Sequence, residues 1–290
     1  MKLFSTPPLS QFAKAKPGPV AQPARLEGGA EPSAARLIPI QRLAQGGRWR
    51  VEAMRAHSEP CLLWFTRGQG RITIGGVTRG YGPHNAILIP AGVMHGFEAG
   101  PQTHGMVLFF GRNSGIDLPM TVQHLRIREA SKQAELSAIF EAIQRELGSD
   151  KANAARAAQH HLGLLGVWLE RQVEAASDEA PRPTASKRLA ARFTQLLERD
   201  FRTGLGVADL AESLGVTPTH LSRACRETCG RSASDLLQDR RLFEARRLLA
   251  DTELPIKEIS RSLGFTSPAY FSRAFQHRAG KTPSAFRRAG

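Results

Sequence analysis

Residues 271–280 read FSRAFQHRAG, and residues 221–230 read LSRACRETCG, with Ser-Arg-Ala in the same register. The repetition extends upstream. VADLAESLG (207–215) aligns with IKEISRSLG (256–264) at an offset of 49. The second copy then gains one turn residue, so the offset is 50 for Leu221/Phe271, Ser222/Ser272, Arg223/Arg273, Ala224/Ala274 and Gly230/Gly280. Each copy reads as a helix, a glycine-containing turn and a second helix. Thr217-Pro218 and Ser267-Pro268 open the second helix, a hydroxyl capping its free amides and proline fitting its first turn. This is the helix-turn-helix layout, whose second helix enters a major groove of DNA.

A helical wheel at about 100° per residue separates two faces. Leu221, Ala224, Cys225 and Thr228 fall on one side, and Thr219, Ser222, Arg223 and Arg226 on the other. In the second copy Phe271, Ala274 and Phe275 face inward while Ala269, Ser272, Arg273 and Gln276 face out, with His220 and Tyr270 on the flanks. Each outward stripe carries an arginine suited to guanine O6/N7 and a serine suited to base edges or phosphate. The competing reading is a helical repeat with merely solvated arginines. Two copies in register, with matching caps and turns, favour DNA.

Charge points the same way. The 290 residues carry a formal net charge of +14, unevenly spread. Residues 184–290 hold 19 basic and 11 acidic side chains, residues 51–183 hold 13 of each, and residues 1–50 hold 8 and 2. A neutral middle and a basic C-terminal third suit a polyanionic partner for the latter. Three cysteines, Cys61, Cys225 and Cys229, make no disulfide framework, which fits a reducing cytoplasm. No apolar run reaches the roughly 20 residues of a membrane span, and the N-terminus lacks a signal peptide's apolar core. Residues 1–35, rich in Pro, Ala and Gly, read as a disordered arm.

From residue 36 short apolar runs alternate with Gly-rich turns: CLLWF (61–65), RITIGGV (71–77), NAILIP (85–90) and HGMVLFF (104–110). These read as antiparallel strands of a module over 36–125. The period then changes to helical over 129–147 and 152–176, within a region of 126–176. SDEAPRPTAS (177–186) reads as a linker, followed by an all-helical domain over 187–290.

Residues 187–290 resemble the DNA-binding domain of AraC/XylS-type transcription regulators. The resemblance runs through GVTPTHLSRACRETCG, RRLFEARRLLADTELPIKEISRSLGF and YFSRAFQHRAGKTPSAFRR. It implies two helix-turn-helix units joined by a long helix over about 234–250. It also implies that Thr219, Ser222, Arg223, Ala269, Tyr270, Ser272 and Arg273 touch bases or backbone, Arg226 a phosphate, and His220 either. Ala233 stands where a proline is common and Gln276 where a lysine is usual.

In the neutral module, Pro90-x-Gly92-x-x-His95 resembles the second signature of cupin barrels, with Gly68-x-Gly70 in the turn before it. Catalytic cupins hold a metal through His-x-His, a glutamate and that later histidine. Here the first motif is His57-Ser58-Glu59, and Leu62, Leu63, Trp64 and Phe65 occupy the place of the downstream carboxylate. Without those ligands the module suits a sensor that needs neither metal nor cofactor. His57, Trp64, His84, His95 and His104 are its candidate effector-pocket residues.

The expected fold class is therefore α+β and multidomain: a cupin-like β-barrel with two flanking helices, then an all-α domain with two helix-turn-helix units. The expected function is a sequence-specific regulator in the cytoplasm, at the nucleoid. Its expected partners are double-stranded promoter DNA, RNA polymerase, a small-molecule effector of unknown identity and a second copy of itself through the two flanking helices. It would activate transcription; a repressor, a metal-dependent cupin enzyme and a ligand-independent architectural protein are the alternatives.

Overall fold

The computed structural model describes residues 35–112, 114–177 and 182–289. The expected arm, apart from Ala35, and residues 178–181 of the expected linker lie outside them. Eight strands precede a series of helices, in the order β1 (Arg36–Pro39), α1 (Ile40–Leu43), α2 (Trp49–Glu52), β2 (Cys61–Arg67), β3 (Gly70–Ile74), β4 (Val77–Tyr81), β5 (Asn85–Ile89), β6 (His95–Phe97), β7 (His104–Phe109) and β8 (Gln123–Arg126). The strands form two antiparallel sheets, β1-β7-β2-β5-β8 and β4-β3-β6. The expected barrel is not closed. β6 is three residues long and pairs only with β3, and beyond it an isolated Arg55–His95 bridge replaces a continuing ladder.

β2 is apolar on both faces because it is covered on both. Leu62 and Trp64 join Ala86, Leu88, Leu108 and Leu125 against α3 (Ala130–Leu147) and α4 (Ala154–Ser177), which contribute Leu136, Phe140, Leu165 and Trp168. Cys61, Leu63 and Phe65 point the other way. They pack with Ile87, Val107, Ile72, Tyr81 and Phe97 between the sheets.

The helical part comprises α5 (Ala185–Asp200), α6 (Val207–Ser213), α7 (Pro218–Cys229), α8 (Ala233–Asp251), α9 (Ile256–Ser262), α10 (Pro268–Ala279) and α11 (Pro283–Ala289). Thr184 caps α5, its Oγ1 accepting from the Lys187 amide, so this helix starts two residues before the expected domain boundary. α8 runs through the centre, and its buried face carries charges as well as leucines. Arg240 Nε donates to Glu198 at 2.6 Å, and Glu244 accepts from Arg202 at 2.6 Å and Arg247 at 2.8 Å. Arg241 donates to the Phe201 and Leu205 carbonyls. Several arginines of the basic third are thus structural cross-braces and not part of its electrostatic footprint.

The β-module is seated on the helices. Met54 and Met94 lie in the same core cluster as Phe193, Leu237 and Leu248. Asp239 accepts a hydrogen bond from the Met54 amide at 2.8 Å. Trp49 stands edge-on to Phe243 and Phe286, at 5.6 and 6.0 Å between ring centres, and Arg50 pairs with Asp251 at 3.0 Å.

Candidate nucleic-acid interface

Both helix-turn-helix units are built by the same local chemistry. α6 and α9 each end on a glycine in the left-handed region, Gly215 (φ 71°) and Gly264 (φ 74°). The next residue closes the turn: the Val216 amide donates to Ala211 and the Phe265 amide to Ser260, each five residues back. That is a Schellman closure, which demands glycine. Gly264 has a second reason to lack a side chain, since a Cβ there would stand 2.3 Å from the Gly204 backbone nitrogen. At Gly215 the same space is open. The recognition helices then start on hydroxyl caps. Thr217 Oγ1 accepts from the His220 amide and Ser267 Oγ from the Tyr270 amide, with proline in the first turn of each. Gly230 and Gly280 end them in the left-handed region.

The faces divide as the wheel predicts. Leu221, Ala224, Cys225, Phe271 and Phe275 are buried. Thr219, His220, Arg223 and Arg226 are exposed on α7, as are Ala269, Tyr270 and Arg273 on α10, while Ser222 and Ser272 are half-buried at the rim. Arg223 Nη2 lies 3.1 Å from His220 Nδ1, and Tyr270 is 54% exposed although its ring touches Phe265. Gln276, which the sequence places on the outward stripe, is also exposed and extends the set. α8 fixes the separation of the two helices, and Ser232 and Asp235 cap it reciprocally.

The five candidate effector residues do not share one cavity. His57 and His95 meet, ring centres 5.0 Å apart. Burial, then Arg55, pushes the His95 imidazole down to about 3, and its Nδ1 lies 2.9 Å from the Val93 carbonyl. Burial, then His95, holds His57 well below the ordinary histidine value. Glu59, in the place of a metal-binding histidine, is committed elsewhere: it pairs with Arg36 at 2.5 Å and accepts from the Gly111 amide at 3.1 Å. Among the described residues no group of three or more His, Cys, Asp and Glu is placed to hold a metal ion. Trp64 and His84 pack together on the helix-facing side of the larger sheet, ring centres 5.8 Å apart, and His104 is exposed at the start of β7. Strand alternation separates them: Trp64 has the parity of Leu62, opposite to that of Cys61 and Phe65.

A family described as "Helix-turn-helix domain" matches residues 210–289. The Arabinose operon regulatory protein of Escherichia coli (strain K12) is 25% identical over 230 residues, which cover 76% of this chain and 77% of that protein. The HTH-type transcriptional regulator CdhR of Pseudomonas aeruginosa is 27% identical over 239 residues, 80% of this chain and 68% of that one. The chain carries a helix-turn-helix domain of the AraC/XylS type. Its relatives of this type are regulators with a DNA-binding domain and not enzymes. Among solved structures, the C-terminal domain of AraT, a response regulator from Geobacillus stearothermophilus, is 32% identical. The match covers 38% of this chain and 89% of that domain, with a TM-score of 0.34. No helix among the described residues is long and apolar enough to cross a membrane. For an AraC/XylS-type regulator, α7 and α10 are the elements to offer to DNA.

Proposed function

We propose that this AraC/XylS-type regulator activates transcription from specific promoters in the cytoplasm. It acts as a homodimer, binds promoter DNA through α7 and α10, and responds to a small molecule held by the β-module or its border. The observation that carries the reading is the pair Arg223 and Arg273. They are exposed at equivalent positions of two similarly capped helices that one central helix, α8, holds in fixed relation. Two such heads address successive major grooves. Dimerisation is supported by a heptad-spaced stripe on α4, where His160, Leu164, Val167 and Arg171 are exposed. Leu164 is 59% and Val167 43% exposed, in a spacing that suits a second copy of the same helix.

The test is selection of bound genomic fragments by the purified protein, followed by substitution. Arg223→Ala and Arg273→Ala should each cost about 1–3 kcal/mol on the selected site and relax base preference at positions about one helical turn apart. If both relax the same position, the two-headed reading fails. A reporter fused to the selected promoter then separates activation from repression: deleting the regulator lowers output in the first case and raises it in the second.

A further inference from the structure

Among the described residues the outward arginine of the first helix-turn-helix unit has a side-chain partner, and that of the second has none. Arg223 Nη2 and His220 Nδ1 stand 3.1 Å apart, on side chains three residues apart along α7. A guanidinium donates and never accepts, so Nδ1 is the acceptor, and the bond requires a neutral imidazole with its proton on Nε2. The backbone of His220 is itself tied down, its amide donating to Thr217 Oγ1 at the cap of α7. Arg223 pairs with no carboxylate among the described residues. Only one of its N–H groups goes to His220, and the rest suffice for the paired hydrogen bonds that guanine O6 and N7 accept. In the second unit Tyr270 occupies the place of His220. Its ring is turned to Phe265, 6.0 Å between ring centres, and Arg273 makes no side-chain hydrogen bond or ion pair among the described residues.

We propose that His220 is a positioning residue: it holds the Arg223 guanidinium in the orientation that meets a guanine, and it acts on DNA through Arg223 and not through a contact of its own. The inference rests on the DNA-binding reading above and deepens it, because it makes α7 the stricter of the two reading helices. The physical reason is rotamer freedom. A free arginine side chain explores many rotamers and loses that freedom when it binds; one already tied in place loses less. The gain falls on the correct base alone. A held fork that misses its acceptors at another base pair cannot swing away to a phosphate instead. Histidine suits this task because its ring is short and turns about only two bonds, so the helix itself places the accepting nitrogen. On the flank of α7, His220 stands beside the reading stripe and leaves the groove to Arg223. Arg273 has no such guide, so it enters its groove with its full freedom and tolerates more bases.

The experiment uses the full chain and the duplex it selects. Affinity is measured for the parent, His220→Ala, Arg223→Ala and the double substitution, on the selected duplex and on duplexes changed at one base pair each. His220→Ala should weaken the selected duplex by about three- to tenfold. The loss should be confined to the base pair that Arg223→Ala relaxes, with the salt-dependence slope unchanged. In the Arg223→Ala background the same change should cost nothing further, because the two side chains act as one. His220→Asn, whose side-chain oxygen can accept from Arg223 in place of Nδ1, should recover most of the discrimination. His220 is exposed, and an unchanged Tm across the set shows that the fold is intact. Losses that add in the double substitution overturn the proposal, since His220 then meets DNA by itself. Relaxation at a different base pair, a fall in the salt slope, or a His220→Asn protein no better than His220→Ala overturns it too. Failure of the parent to select any motif sinks the regulator together with this role, whereas a selected motif with additive losses sinks this role alone.

Discussion

Glu244 gives the sharpest test of how α8 is held. Its side chain is 4% exposed and accepts from Arg202 at 2.6 Å and Arg247 at 2.8 Å, with Arg240 at 3.3 Å. Burial alone would raise its pKa. Arg247, Arg240 and Arg202 outweigh that and hold the carboxyl at about 2, against an ordinary 4.5. At about 1.4 kcal/mol per pKa unit, the charged form contributes about 3 kcal/mol to stability. Because the folded value is the lower one, this contribution is complete above about pH 4.5 and is lost as pH falls through about 2; about half is gone by pH 3. Glu244→Gln keeps the shape and one acceptor oxygen, and Arg240 keeps Glu198, so the substitution removes charge and little else. Urea unfolding at pH 7 should place the variant about 2–3 kcal/mol below the parent, and the gap should narrow to about half at pH 3. A gap under about 0.5 kcal/mol at pH 7, within the range of ordinary surface substitutions, would refute the reasoning. So would a gap that does not change with pH.

Three further outcomes are expected. Arg226→Ala should weaken binding evenly across DNA sequences and lower the salt-dependence slope by about one, measured by titrating affinity against salt; a base-specific effect would move Arg226 into the groove. Gly215→Ala should cost about 1–2 kcal/mol for its positive φ, while Gly264→Ala should cost several more because its Cβ meets the Gly204 backbone. Equal losses in urea melts would mean that the backbone approach is unimportant. Leu164→Asp with Val167→Asp should convert a dimer into a monomer in sedimentation while leaving the fold intact; an unchanged mass would place the dimer contact elsewhere.

The DNA-binding end of the molecule is legible in the sequence because its determinants are local. Each cap, turn glycine and buried position of α7 and α10 lies within a few residues of the backbone it controls, and the repeat states each of them twice. Long apolar strands and helices are legible for the same reason: β2, β5, α3 and α4 fall where their periods put them. What escapes depends on distant partners. Glu198 and Glu244 look like solvent charges until they meet Arg240 and Arg202 across α5 and α8. Trp49 and Met54 give no hint that their contacts lie some two hundred residues downstream, and Met94 gives none that it joins the core of the helices. The candidate effector residues are histidines near turns and one strand tryptophan, a signal of residue type that carries no geometry. Strand parity along β2 is the signal that separates Trp64 from the space between the sheets, and it is present in the alternation itself.

The second helix-turn-helix unit carries one more residue between turn glycine and cap than the first: Gly264 to Ser267, against Gly215 to Thr217. Within that spacing Tyr270 and Gln276 stand where the first unit has His220 and Arg226. The two reading helices are therefore unlike, and α8 fixes their order. A single chain laid on DNA has a front and a back. Turning its site around presents the rest of the molecule, β-module and α4 included, to the opposite side of the promoter, so site orientation as well as sequence should govern the outcome of binding.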